Sequence, residues 1–146
     1  MTPEFDKAAT KAAETLVKYG IKASPVSPLK ILEQMENVIT ISFSDLSDTS
    51  GLKRCDMLNM FGKNRDAISS FHHESGSKTY IVAYNRLLPS TMVQKALARE
   101  LGHIVLHHEE NSPENTSEAI CFAQHLLCPR PLLRLVQAAS MRFTIF

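Results

Sequence analysis

Residues 95–110, KALARELGHIVLHHEE, hold the pattern that decides how this chain folds. An α-helix turns 100° per residue, so side chains three and four positions apart share a face. One broad arc collects the apolar side chains, which are Val93, Leu97, Leu101, Ile104 and Val105. A neighbouring stripe collects Arg99, His103 and His107, and Glu100 lies on the border between the two faces. The pattern predicts an amphipathic helix with one face in the core.

The spacing of Glu100 and His103 matches part of a zinc-hydrolase motif. In that motif two histidines one helical turn apart bind zinc, and a glutamate beside the first is the general base. Here Arg99 stands at the first-ligand position, and a guanidinium has no lone pair to donate. At 4 Å from a dication, with an effective dielectric of about 20, it would be repelled by about 8 kcal/mol. Taken alone, the pair is more typical of a solvated helix surface.

Gly102 lies within this predicted helix, where glycine costs roughly 1 kcal/mol relative to alanine. The position therefore predicts the close approach of another backbone or of a ligand.

Composition favours a soluble single domain over residues 1–146, with 44% hydrophobic and 21% charged residues. The net charge of +1, without a basic stripe, disfavours direct nucleic-acid binding. The N-terminus lacks a signal-peptide pattern, and no apolar run approaches the length of a membrane span. Cys55, Cys121 and Cys128 are an odd number without disulfide-framework spacing, which predicts reduced thiols and a cytoplasmic location.

The remaining patterns predict an α+β domain whose helices pack on a small, mainly antiparallel sheet. Residues 45–65 are predicted to be irregular. The predicted elements are helices at 3–19, from 28, about 90–108, about 114–127 and 131–140, a strand at 37–44 and a hairpin at 66–85.

Two longer stretches resemble the ImmA/IrrE family of zinc metallopeptidase-like proteins. They are YIVAYNRLLPSTMVQKALARELGHIVLHHEE and TSEAICFAQHLLCPRPLL. That family shows a strand ending in Asn, then a helix reading roughly AHELGHxxLHH, then a helix reading roughly EANxFAxxLLMP. The resemblance covers about residues 10–135 and implies a zincin-like metallopeptidase fold.

Carried over to this sequence, the resemblance implies that Glu100 is the general base and that His103 and Glu118 are zinc ligands. The first histidine ligand is replaced by Arg99, which leaves a degenerate HExxH motif, and the Asn or Asp after EA is replaced by Ile120. Both departures fall in the site. The packing residues of the pattern are present, namely Leu101, Gly102, Leu106, Phe122, Ala123, Leu126, Leu127 and Pro129. The resemblance thus implies a retained fold with a compromised site.

Two residues are candidates to replace the missing ligand. His107 lies one turn beyond His103 on the same stripe, but histidine is common at this position of the family alongside an intact first ligand. Cys121 lies three residues after Glu118 and is a good zinc ligand, although such a cysteine is more often buried and structural. His125 is about 10 Å from Glu118 along the helix, too far to share one metal.

The resemblance implies a cytoplasmic zinc metallo-endopeptidase that cleaves or relieves a helix-turn-helix repressor, often in the regulation of phage or mobile elements. Its cofactor would be Zn²⁺, held weakly or not at all because one ligand is missing. The alternative is a catalytically inactive pseudo-peptidase that serves as a protein-binding regulatory module. In that case Arg99 would be structural, paired with Glu100 or Glu118. Both hypotheses imply a protein partner, without direct nucleic-acid or membrane contact.

Overall fold

The computed structural model describes residues 3–22, 25–51, 53, 67–74 and 76–128. Within them, the elements in chain order are α1 (Pro3–Lys18), α2 (Pro28–Gln34), β1 (Val38–Ser42), α3 (Phe43–Ser50), β2 (Ala67–Glu74), β3 (Ser77–Tyr84), α4 (Ser90–Val105) and α5 (Pro113–Leu127). The predicted α+β class is confirmed. Cys55 and the predicted helix at 131–140 lie outside the described residues.

The sheet has three strands in the order β1-β3-β2. The predicted hairpin is confirmed, because β2 pairs antiparallel with β3 from Ala67↔Tyr84 to Glu74↔Ser77. β1, in contrast, pairs parallel with β3. The sheet is therefore mixed, and the prediction of a mainly antiparallel sheet is not matched. Parallel pairing needs a crossover connection, and the chain between β1 and β3 supplies one.

One hydrophobic core joins the inner face of the sheet to four helices. Its buried members include Leu16 of α1, Ile31 of α2, Tyr80 of β3, Leu97 of α4 and Phe122 of α5. The other face of the sheet carries a smaller cluster, in which Phe43 of α3 packs near Ala83, Ile41 and Leu46. α3 therefore contacts one face of the sheet, and α2 and α4 contact the opposite face. Every helix in the described ranges is too short or too polar to span a bilayer.

α3 is a helix where the sequence predicted irregular structure from residue 45. Ser42 ends β1 and also caps α3, because its Oγ accepts from the N–H of Asp45 at 3.1 Å. Gly51 ends the helix with a φ of 73°, in the left-handed region that glycine adopts readily. The helix is short and mostly polar, so its periodicity is weak. The rest of the predicted irregular stretch, apart from residue 53, lies outside the described residues.

α4 ends at Val105, although the sequence predicted a helix to about His108. His107 has a φ of 57°, in the left-handed region. The N–H of His108 donates to the carbonyl of His103 at 3.0 Å, and the N–H of His107 donates to that of Ile104 at 3.2 Å. These two hydrogen bonds form a Schellman motif at the C-terminus of α4. In this motif the chain turns back after the C-cap residue, Leu106, and the second residue beyond the cap lies against the last turn of the helix. His108 is therefore brought back against His103.

α5 begins at Pro113, capped by the Ser112 side chain, which accepts from the N–H of Asn115 at 3.1 Å. It packs closely on α4 at Gly102. A Cβ placed on Gly102 would lie 3.0 Å from Phe122 Cδ1 and 3.2 Å from the carbonyl oxygen of Ala119. The close backbone approach predicted from this glycine is confirmed.

Candidate active-site cleft

A cleft of about 200 Å³ opens between the sheet, the C-terminal half of α4 and the loop that follows it. Its lining residues are Ser69, Phe71, Tyr80, Glu100, His103, Ile104, His108, Glu109, Glu110 and Asn111. The residues predicted as general base and zinc ligand, Glu100 and His103, are both among them. The cleft therefore coincides with the helix that the sequence motif singled out.

Glu100 is a buried acid, with 6% of its surface exposed. The hydroxyl of Ser69, on β2, donates to Glu100 Oε2 at 2.5 Å. This hydrogen bond joins β2 to α4. It fixes the carboxylate against the sheet at the wall of the cleft. No sequence motif indicated Ser69, because its contact with α4 depends on how the hairpin packs.

His108 lies between the two zinc ligands that the resemblance implied. Its Nδ1 is 2.9 Å from His103 Nδ1, and its Nε2 is 2.8 Å from Glu118 Oε2. The side chains of His108 and Glu118 are only 6% and 15% exposed. One tautomer satisfies every group: His108 donates from Nε2 to the carboxylate and accepts at Nδ1 from the N–H of His103. The three side chains thus form one hydrogen-bonded chain between α4 and α5.

The side chains of His103, His108 and Glu118 are not arranged as the three ligands of a zinc centre. The two nitrogens of one imidazole point in divergent directions, and here they face His103 and Glu118 separately. No single point lies beside all three donors. Across the described part of the chain, no group of three His, Cys, Asp or Glu residues could hold a metal ion. The position where the family pattern has a histidine is occupied by Arg99, which cannot donate a lone pair.

Burial lowers the pKa of His103 from 6.5 to about 4. Desolvation by burial disfavours the imidazolium, and electrostatic interaction with the neighbouring His108 and Arg99 lowers the pKa of His103 further. His103 is therefore neutral at pH 7, the form that donates one N–H to His108.

The lowered pKa of His103 predicts acid sensitivity. The folded state binds this proton less well than the unfolded state, so the associated stability is present above pH 6.5 and is lost as pH falls towards 4. Because the group is only partly buried, we expect a loss of about 1–2 kcal/mol after solvent screening. Urea unfolding of the wild-type protein and of His103→Gln at pH 7 and 5 tests this. Equal losses in both proteins would contradict the assignment to His103.

The two candidate substitute ligands lie elsewhere. His107 is exposed and lines a different cleft, between α1, β3 and the end of α4. Cys121 is buried on α5, with its Sγ 3.7 Å from His125 Nδ1. Neither is brought to the contact between His103 and His108. Neither Cys121 nor Cys128 is joined in a disulfide within the described part of the chain.

Arg99 lines a second, more apolar groove on the other side of the α4–α5 contact. Its neighbours there are Met92, Lys95, Ala96, Ile120, Ala123, Gln124 and Leu127. Glu100 accepts from Ser69, and Glu118 is hydrogen-bonded to His108, so the pairing of Arg99 with one of these carboxylates stays a prediction. Ile120, the second departure from the family pattern, is 43% exposed in the same groove. Both departures thus line one surface.

A buried glutamate and a histidine in Glu-x-x-His spacing, on a helix packed against a small sheet, are features that this chain shares with metallopeptidases. The comparison with protein families agrees. The family model described as Peptidase_M78, IrrE N-terminal-like domain, matches residues 39–144, and the chain belongs to this family of zinc metallopeptidases. The membership predicted from the two helix motifs is confirmed. No curated protein and no solved structure matches the chain.

Proposed function

We propose that this chain is a non-catalytic member of its family, a peptidase-like module that binds a regulatory protein without cleaving it. The observation that carries the proposal is the position of His108. Its imidazole joins His103 to Glu118 by hydrogen bonds of 2.9 and 2.8 Å, where the family pattern would have a metal join them.

The free-energy cost of displacing His108 also argues against zinc binding. The bond from His108 to the Glu118 carboxylate joins nearly buried groups, and a hydrogen bond to a charged group contributes about 1.5–3 kcal/mol. Zinc would have to displace that bond and move a buried imidazole, with Arg99 at the position of the missing ligand. The remaining donors would not compensate for these costs.

The size of the cleft supports a macromolecular partner. At about 200 Å³ it is smaller than the roughly 300–1,000 Å³ typical of small-molecule sites. It is bordered by β2, the last strand in the sheet order, which pairs only with β3 among the described strands. A free strand edge can pair with an extended segment of another protein. We take the partner to be a cytoplasmic helix-turn-helix repressor, of the kind that the family resemblance implies for phage or mobile elements.

One observation favours the second candidate, a zinc metallo-endopeptidase. Glu100, the general base of that mechanism, is retained in the cleft and held in place by Ser69. In such an enzyme zinc would supply an activated water, and the carboxylate of Glu100 would take the proton from it. Measurement of zinc binding separates the non-catalytic module from the zinc metallo-endopeptidase.

The test is zinc binding by the wild-type protein, by Arg99→His and by the double variant Arg99→His with His108→Ala. We expect less than about one-tenth of an equivalent of zinc in the wild type at micromolar free metal, and little gain in Arg99→His, because His108 still engages both donors. The double variant should bind zinc clearly more tightly. The matched control is Arg99→His with His107→Ala, which should bind zinc no more tightly than Arg99→His alone.

The proposal fails on either of two results. One is a tightly bound zinc per wild-type chain by metal analysis. The other is cleavage of the repressor by the wild-type protein that is lost in Glu100→Gln.

A further inference from the structure

We propose that the groove beside Arg99 is the docking surface for an acidic, amphipathic helix of the partner protein. We call this surface the α4–α5 groove. Its lining residues are Met92, Lys95, Ala96, Arg99, Ile120, Ala123, Gln124 and Leu127. The inference rests on the proposed function only in requiring a protein partner. It does not require the cleft to be inactive.

The shape of the groove fits a helix. The α4 side is formed by Met92, Ala96 and Arg99, and the α5 side by Ile120 and Leu127 with their neighbours, all at helical spacing along one stripe of each helix. The groove is open to solvent, has a volume of about 490 Å³ and is lined mainly by apolar surface. A groove between two helices whose floor is apolar accepts the apolar face of a third helix at its i, i+3, i+4 and i+7 positions.

The apolar side chains of the groove are exposed to solvent rather than used in the core. Met92 and Ile120 are each 43% exposed, although their neighbours Ala96 and Ala123 are buried. Small buried residues beside two large exposed ones leave a depression with apolar walls. Contiguous exposed apolar surface of this kind indicates an interaction site.

The charge of the groove selects the partner. Lys95 and Arg99 lie one helical turn apart on its α4 rim, and Gln124 on the α5 side is neutral. Within the described residues, no acidic side chain lines the groove, and neither cation makes an ion pair. Complementary charge governs the choice of partner and the rate of association. An occupant with carboxylates beside its apolar stripe therefore fits, and a basic one does not.

The same argument disfavours the chain's own C-terminal segment as the occupant. Residues 129–146 follow α5 directly and contain three arginines and no acidic residue. Placing them here would bring like charges together beside Lys95 and Arg99. A second copy of the chain remains an outcome of the test.

The experiment uses the full-length protein and two synthetic helical peptides as probes. Both carry leucine at i, i+3, i+4 and i+7, flanked by glutamate in one peptide and by lysine in the other. Fluorescence anisotropy should give a micromolar Kd for the acidic peptide and at least about tenfold weaker binding for the basic one. The affinity for the acidic peptide should fall as salt is raised.

Charge reversal localises the site. Lys95→Glu should weaken binding of the acidic peptide about tenfold, equivalent to 1.4 kcal/mol. Lys22→Glu makes the same change of charge at an exposed lysine outside the groove and should leave the affinity within about twofold. Circular dichroism confirms that both variants are folded.

Three results would overturn the inference. These are equal binding of the two peptides, equal effects of Lys95→Glu and Lys22→Glu, and concentration-dependent dimerisation of the wild type that Ile120→Glu abolishes. Failure here is separable from failure of the proposed function. A chain that holds zinc and cleaves its repressor can still bind the acidic peptide, and a zinc-free chain can fail to bind it.

Discussion

Phe122→Ala is expected to lower the free energy of unfolding by about 3–5 kcal/mol, the range for removing a fully buried aromatic side chain. Phe122 is completely buried, and its ring lies against Gly102 where α5 meets α4. Truncation removes apolar contacts from both helices and leaves a cavity that two rigid helices cannot close. Since domains are stable by only about 5–15 kcal/mol, this loss is a large share of the total.

Urea denaturation followed by circular dichroism measures this loss. The matched control is Ile120→Ala on the same helix, whose side chain is 43% exposed. It should cost about 1 kcal/mol or less, because little buried area is lost. Comparable losses in the two variants would contradict the placement of Phe122 in the α4–α5 core.

Gly102→Leu is expected to destabilise the fold by about 3 kcal/mol or more, at the upper end of the range for overpacking. Even a Cβ would lie 3.0 Å from the Phe122 ring and 3.2 Å from the Ala119 carbonyl, and leucine adds three more carbons in that direction. The ring can rotate, but a backbone carbonyl within a helix cannot yield without moving α5. The gain in helix propensity, about 1 kcal/mol, does not offset this.

The same unfolding measurement on Thr91→Leu is the control, since Thr91 is exposed in the first turn of α4. Its stability should change by less than about 0.5 kcal/mol. In the double variant Gly102→Leu with Phe122→Ala, the new side chain partly fills the space of the lost ring, so the combined loss should be smaller than the sum. Strict additivity would show that the two residues are not in contact.

The parts of the fold that were predictable depend on local patterns. α4 and α5 follow from apolar periodicity, the start of α5 from Ser112 and Pro113, and the hairpin from two strand-like runs around a short turn. Gly102 indicated the close approach of another backbone or of a ligand, and the structure shows that it is the backbone and ring of α5. Each of these signals lies within a few residues of the structure it specifies.

The parts that were not predictable depend on contacts between distant residues. The parallel pairing of β1 with β3 is set by packing across the whole domain, and the cap of α3 is hidden at the end of a strand. Ser69 reaches Glu100 only because β2 packs against α4. Most important for the site, the sequence pattern placed His107 on the ligand stripe, whereas His108 is the residue that contacts His103 and Glu118.

The turn at the end of α4 therefore places two adjacent histidines, His107 and His108, in different environments. His107, in the left-handed conformation, is directed to solvent, and His108 is returned to the buried interface. Exchanging side chains at these positions would change nothing, since both are already histidine. To convert this cleft into a metal centre, one would have to change the backbone conformation at the end of α4 as well as the ligand side chains. The helix end would have to be rebuilt so that the imidazole of His108 leaves the space between His103 and Glu118.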